Sequence, residues 1–298
     1  MDIKFYLKEY SWLVILVAIG LGLWLPNTGL VIKPYVSYLL MGLMFLSCVN
    51  IDFSRSWKHL KKIRKVIFSM FVIFLLSGIL VYFFRGNFSD DVYLGLILTT
   101  SMPAGISVIF LSKLYGGSTA KSLVISVLAN ILSPVLVPVI VLWLAQTQIE
   151  VNVWQMFLTI SKLVLFPIVL ARIVGMTGFR KIVESEGTYI SIILLFGLIW
   201  GVVAPVGPVL SETNNLLLLV LMVILLVLLN IVIGLWLGSD WKAKKTYAIS
   251  LAYKNFTLAM VLALTLFGPQ VAVPAAIYTL INNLMLIPLQ WMWGAEKK

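Results

Sequence analysis

Apolar residues run along this chain in ten stretches of roughly membrane-spanning length, parted by short polar, Gly- or Pro-bearing segments. They lie near 11–25, 34–51, 66–84, 91–115, 119–145, 153–174, 189–209, 215–237, 246–267 and 271–293. The pattern predicts an all-α membrane protein of ten transmembrane helices. Composition points the same way. With 61% hydrophobic residues, 11% charged residues and a mean hydropathy of +1.07, the 298 residues do not describe a water-soluble domain.

The net charge of +11 raises the question of nucleic acid, and the placement of the charges answers it. Eighteen of the 22 Lys and Arg fall in loops and tails on one side of the ten-span arrangement, only Lys33 and Arg85 fall on the other, and Lys162 and Lys254 lie within spans. That bias predicts a multi-pass protein of the cell membrane with both termini cytoplasmic. The basic cluster from Arg55 to Lys65, with Trp57 and His59, reads as a topology signal and headgroup anchor, with no folded domain to display it to nucleic acid. Trp12, Trp24, Trp57, Trp154, Trp241, Trp291 and Trp293 stand close to span ends, where interfacial anchoring is expected. No small-x-small cleavage site follows the first apolar run, so the first span is expected to stay in the membrane.

Cys48 and His59 are each the only residue of their kind, which leaves nothing for a disulfide, a thiolate or histidine metal site, or a Ser-His-Asp arrangement. The pair Asp90-Asp91 at a span end does not supply the two metal-binding motifs of a membrane-embedded enzyme. A retinal-type photoreceptor would use a lysine but also needs a carboxylate counter-ion in the bundle. Apart from Asp91 at the very end of the fourth, no span holds an Asp or Glu. No cofactor is expected.

Two spans are set apart by their polar interiors. The fourth reads Thr99-Thr-Ser101-Met-Pro103-Ala-Gly105-Ile-Ser107, where Pro103 removes a backbone donor and Gly105 relaxes the chain. Backbone freed at that depth is tolerable only against protein or a wet cavity. The ninth carries Ser250, Lys254, Asn255 and Thr257 in an otherwise apolar run, but no Pro or Gly between Thr246 and Phe267. An ammonium at bilayer depth costs at least ~2.5 kcal/mol, so Lys254 needs a partner or must shed its charge.

The same two spans head matching intervals. Pro103 precedes Gly116 by thirteen residues and Asn255 precedes Gly268 by thirteen, and each glycine is followed fourteen residues later by an asparagine, Asn130 and Asn282. Prolines follow both, Pro138 and Pro288. The spacing suggests a duplication with halves 1–147 and 148–298. Five spans per half is odd, so the second half enters the membrane inverted, the signature of secondary transporters. Asn130, Ser126, Ser133, Asn282 and Asn283 lie on the spans that follow the two polar ones, where they can satisfy crossover backbone or join helices. The Gly116-Gly117 and Gly268-Pro269 pairs read as turns.

The stretch from Ser101-Met-Pro-Ala-Gly-Ile-Ser through Gly116-Gly-Ser-Thr-Ala-Lys to Leu132-Ser-Pro-Val-Leu-Val-Pro138 resembles the fourth and fifth helices of the bile acid:sodium symporter family. Lys254-Asn-Phe-Thr-Leu-Ala is similar to that family's ninth helix. The resemblance implies core and panel domains, with helices four and nine broken and crossing in the core. It implies organic anions bound near the crossover, at Asn255 and Pro103 to Ser107, and sodium behind it. The departures are informative. The family's sodium-binding Glu falls on Ser250, its Gln on Lys254, and its polar Ser-Asn pair on Val108-Ile109. An adjacent ammonium repels sodium, so no conventional sodium site is expected.

The expectation is therefore a secondary carrier of a small organic anion, sodium-independent, coupled to protons or to nothing. Its site residues are Lys254, Asn255, Ser250, Thr257, Pro103, Gly105, Ser107, Ser101, Asn130, Ser126, Asn282 and Asn283. Lys254 would replace the coupling ion by donating to unwound carbonyls, carry a proton, or bind the substrate directly. Lys162 would reach a headgroup or cavity. The alternatives are a sodium-coupled symporter and an efflux carrier of the arsenite or auxin type; the arsenite carriers use a helix-four cysteine that is missing here.

Overall fold

The computed structural model describes residues 11–49, 63–146, 149–177 and 180–293, and all regular structure among them is helical. Lys4, Lys8, the cluster residues 55–62 with Trp57 and His59, and Lys297 and Lys298 lie outside the described residues. Six helices are long and apolar enough to cross a membrane: Pro26–Val49, Arg64–Tyr82, Thr119–Ala145, Val153–Val174, Leu216–Leu237 and Pro269–Leu289. Leu13–Trp24, Tyr189–Val203 and Phe256–Leu266 are shorter apolar helices.

Helix α1 (Ser11–Trp24) ends at Leu25, and α2 (Pro26–Val49) restarts at once. Pro26 has no amide to satisfy and a ring that presets the helical φ, so it serves as a first helical residue. The connection expected before residue 34 is therefore helical. Gly29 lets it lie against Ala204 and Trp200, where a Cβ would come within 2.4 Å of the Ala204 Cβ.

Helix α3 covers 63–82 and contains a π turn at Val72–Leu76. The fourth predicted span is two helices, α4 (Asp90–Thr100) and α5 (Ser107–Leu114), followed by α6 (Thr119–Ala145). Next come α7 (Val153–Val174), with a second π turn at Ser161–Leu165, and α8 (Arg180–Val203). After α9 (Leu216–Leu237), the ninth predicted span is also two helices, α10 (Trp241–Ala252) and α11 (Phe256–Leu266), and α12 (Pro269–Trp293) follows. Glycines in left-handed backbone end both divided spans, Gly116 at φ +75° and Gly268 at φ +129°.

The helices pack in two groups. In one, α8 lies against α1 and α2, and α7 against α2. In the other, α10 packs on α9, and α12 packs on α4 and α11. Helix α4 approaches α12 so closely that a Cβ at Gly95 would stand 2.2 Å from the Val271 carbonyl oxygen. The two short halves differ in their surroundings. Helix α11 packs against α2, α7 and α8 of the first group, whereas α5 packs on α6 and α10 and leaves Ser107 and Phe110 exposed.

Candidate substrate and coupling site

Helix α4 stops at Thr100 because Pro103, two residues beyond Ser101, cannot donate and disfavours helical backbone before it. Helix α10 stops at Ala252 with no such residue, and what holds its break is the other break. Ala104 and Lys254 form an antiparallel bridge, in which the Gly105 amide donates to the Tyr253 carbonyl at 3.0 Å and the Asn255 amide to the Pro103 carbonyl at 2.8 Å. Each interrupted span thus satisfies backbone groups of the other, at a depth where water is scarce. Gly105 permits the approach: a Cβ there would meet Ser107 Oγ at 3.2 Å and the Lys254 carbonyl oxygen at 3.3 Å.

Asparagines from the following helices satisfy further carbonyls. From α6, Asn130 Nδ2 donates to Ala104 O at 2.9 Å, and Ser126 Oγ to Ala104 O and Gly105 O at 3.3 and 3.2 Å. From α12, Asn282 Nδ2 donates to Ala252 O at 3.4 Å, and Tyr253 Oη returns a hydrogen bond to Asn282 O at 3.0 Å. The two asparagines singled out by spacing thus serve the two breaks in parallel ways.

Extended backbone sends successive side chains to opposite faces, and Lys254 and Asn255 divide accordingly. The Lys254 side chain, 5% exposed, runs behind the bridge, where Nζ donates to Ile73 O at 2.6 Å and to Thr100 O. Thr100 ends α4, so the ammonium meets the negative end of that half-helix. Ile73 lies in the π turn of α3, and a π turn widens the ladder so that one carbonyl loses its intrahelical amide. Asn255 faces the other group. Its Oδ1 caps α11 by accepting from Leu258 N at 3.2 Å and from Thr257 Oγ1 at 3.0 Å, and its Nδ2 lies 3.9 Å from Met44 Sδ of α2.

Of the expected site residues, Pro103, Gly105, Ser126, Asn130, Lys254, Asn255 and Asn282 meet at the crossing, with Thr257 beside Asn255. Ser107 opens α5 on its exposed face. Ser101 and Ser250 are fully buried, and their hydroxyls have no partner among the described residues. Asn283 is not drawn in: it donates to Thr279 O of its own helix at 2.8 Å. Direct substrate binding by Lys254 does not fit an ammonium directed at Ile73 and Thr100. Sequence reading missed Ile73, Thr100, Tyr253 and Met44. Thr100 had a signal in its position just before the Pro103 break, whereas Ile73 contributes only a carbonyl and has none.

Spanning helices and two interrupted segments joined at their breaks mark a multi-pass membrane protein. Residues 10–289 match the model of the SBF-like CPA transporter family, and the chain belongs to that family. It is 26% identical over 298 residues, covering 96% of this chain and 91% of the relative, to a Bacillus subtilis (strain 168) protein named uncharacterized sodium-dependent transporter YocS. It is 23% identical over 286 residues, covering 93% of this chain and 70% of the relative, to the probable sodium/metabolite cotransporter BASS1, chloroplastic, of Oryza sativa subsp. japonica. A second Bacillus subtilis (strain 168) protein, uncharacterized protein YbaS, is 25% identical over 199 residues, 64% of this chain and 65% of its own length. The family is one of transporters, as the names of YocS and BASS1 also say, and the protein is a transporter and not an enzyme.

Proposed function

We propose that the protein carries a small organic anion across the cell membrane by alternating access, without sodium, with the Lys254 ammonium in the place of a coupling cation. The observation that carries this reading is the position of that ammonium, behind the Ala104–Lys254 bridge on the carbonyls of Ile73 and Thr100. Carbonyls at a half-helix C-terminus and in a π turn are the oxygen ligands a sodium ion would use, and a tethered cation already occupies them. Ser250 adds a hydroxyl where the resemblance implies a carboxylate.

The substrate belongs on the opposite face, beside Asn255, Thr257 and Ser107. The helices α5 and α11 begin there, and their N-terminal amides favour an anion. The arrangement supports ten crossings in two inverted halves, 1–147 and 148–298, with cytoplasmic termini. The matching service of Asn130 and Asn282 at the two breaks is the support for the inversion. The packing of α11 against α2, α7 and α8, with the α5 face exposed, supports an arrangement open on the cytoplasmic side.

A sodium-coupled symporter is the second reading, favoured by the names of two relatives, the sodium-dependent transporter YocS and the sodium/metabolite cotransporter BASS1. A thermal-shift screen of organic carboxylates on the protein in liposomes, with sodium exchanged for potassium and pH varied, separates the two. Stabilisation by a carboxylate in potassium supports the proposal. Stabilisation that requires sodium overturns it. Dependence on pH with either cation identifies proton coupling through Lys254.

A further inference from the structure

Lys162 lies near the middle of α7, in the π turn Ser161–Leu165, and its side chain is exposed. The helix buries Met156, Ile160, Leu163, Val164, Pro167 and Ala171 on one side. On the other it presents Trp154, Leu158, Phe166, Val169 and Ile173, each between 49% and 67% exposed. The lysine stands in the centre of that exposed apolar stripe, whose composition suits contact with lipid, and has no hydrogen bond or ion pair with any described residue.

A charge so placed is unfavourable unless something outside the chain neutralises it. Nine residues separate Val153 from Lys162, a rise of about 13 Å, and lysine side chains on a helix lean toward its N-terminus. A reach of roughly 6 Å leaves the ammonium some way below the interface at the Val153 end, within range of a headgroup drawn inward. That end is marked by Trp154, stacked on Phe157 with ring centroids 5.3 Å apart. A second copy of the chain is a poor occupant, since a two-fold contact through this face sets Lys162 against Lys162 and α7 itself carries no carboxylate.

We infer that the outward face of α7 is a binding site for an anionic phospholipid, whose phosphate pairs with Lys162 and whose chains lie along Leu158 and Phe166. The site is separate from the crossing of the interrupted helices.

The test uses the full chain in nanodiscs of phosphatidylcholine doped with phosphatidylglycerol, reading lipid retention by native mass spectrometry and thermal unfolding in parallel. Wild type and Lys162→Arg are expected to retain phosphatidylglycerol with about fivefold higher apparent affinity than Lys162→Met, the equivalent of one cation near an anionic lipid. In phosphatidylcholine alone, Lys162→Met is expected to unfold no earlier than wild type, because it removes a charge from lipid. Equal retention of phosphatidylglycerol by Lys162→Met and wild type overturns the inference. So does a gain from phosphatidylglycerol in the unfolding temperature of Lys162→Met that matches that of wild type.

Discussion

The ammonium of Lys254 donates to the carbonyl of Ile73 across 181 residues of chain, joining the break between α10 and α11 to the π turn of α3. Neither partner has another residue's side chain to satisfy it: the lysine meets main-chain oxygens, and the carbonyl belongs to a turn whose ladder has slipped by one residue. Removing the lysine therefore takes a charged donor from both oxygens.

Replacing Lys254 with Met is expected to destabilise the protein by about 2–4 kcal/mol, the cost of losing the charged hydrogen bonds to the Ile73 and Thr100 carbonyls less the gain from removing a buried charge. Thermal unfolding in detergent measures it, with Lys162→Met as the comparison that should show no loss. Unchanged stability and unchanged carboxylate flux in Lys254→Met would reduce the lysine to a bystander.

Sodium dependence should be restorable. In the Lys254→Gln, Ser250→Glu double variant the cation is gone and a carboxylate enters at a fully buried position whose hydroxyl has no partner among the described residues. Sodium, against potassium, is expected to raise its unfolding temperature, while wild type stays indifferent. Indifference in the double variant would mean that Val108 and Ile109, where the family's polar pair is missing, are decisive.

Asn255 separates capping from recognition. In Asn255→Asp the carboxylate still accepts from Leu258 N, so stability should stay within about 1 kcal/mol of wild type apart from the cost of the new charge. An organic anion should then be repelled, abolishing carboxylate-induced thermal stabilisation. Retention of that stabilisation would place the substrate elsewhere.

Gly95→Ala sets a Cβ 2.2 Å from the Val271 carbonyl oxygen, a clash with backbone that no rotamer relieves. A loss of about 3 kcal/mol or more is expected, read as a lower unfolding temperature and poor recovery of folded protein. Asn130→Ala should cost about 1–3 kcal/mol by removing the shorter of the two bonds to Ala104 O, which keeps only Ser126 Oγ at 3.3 Å. Asn282→Ala should cost less, because its bond to Ala252 O is the longer one, 3.4 Å against 2.9 Å. The order of the two unfolding temperatures checks the assignment.

Long apolar runs need a lipid environment whatever their neighbours, so the helical membrane class, the places of the helices and the division of the fourth span at Pro103 were written in the sequence. So was the suspicion about Lys254, because a lysine amid apolar residues stands out in one dimension. The division of the ninth span was readable from its spacing to Gly268 and Asn282, from the polar cluster of Ser250, Lys254, Asn255 and Thr257 and from the family resemblance, since no Pro or Gly marks it. The helical turns after Pro26 were missed because Asn27, Thr28 and Gly29 read as a loop until Trp200 and Ala204 are seen to cover Gly29.

What the tertiary structure alone decided is where the ammonium goes. Hydrogen bonds to main-chain carbonyls leave no trace in residue type, so neither Ile73 nor the π turn that frees it could be named from the sequence. The same holds for the face of α7 that carries Lys162: hydropathy gives the depth of a charge in a span, but only packing decides whether it points at protein or at lipid.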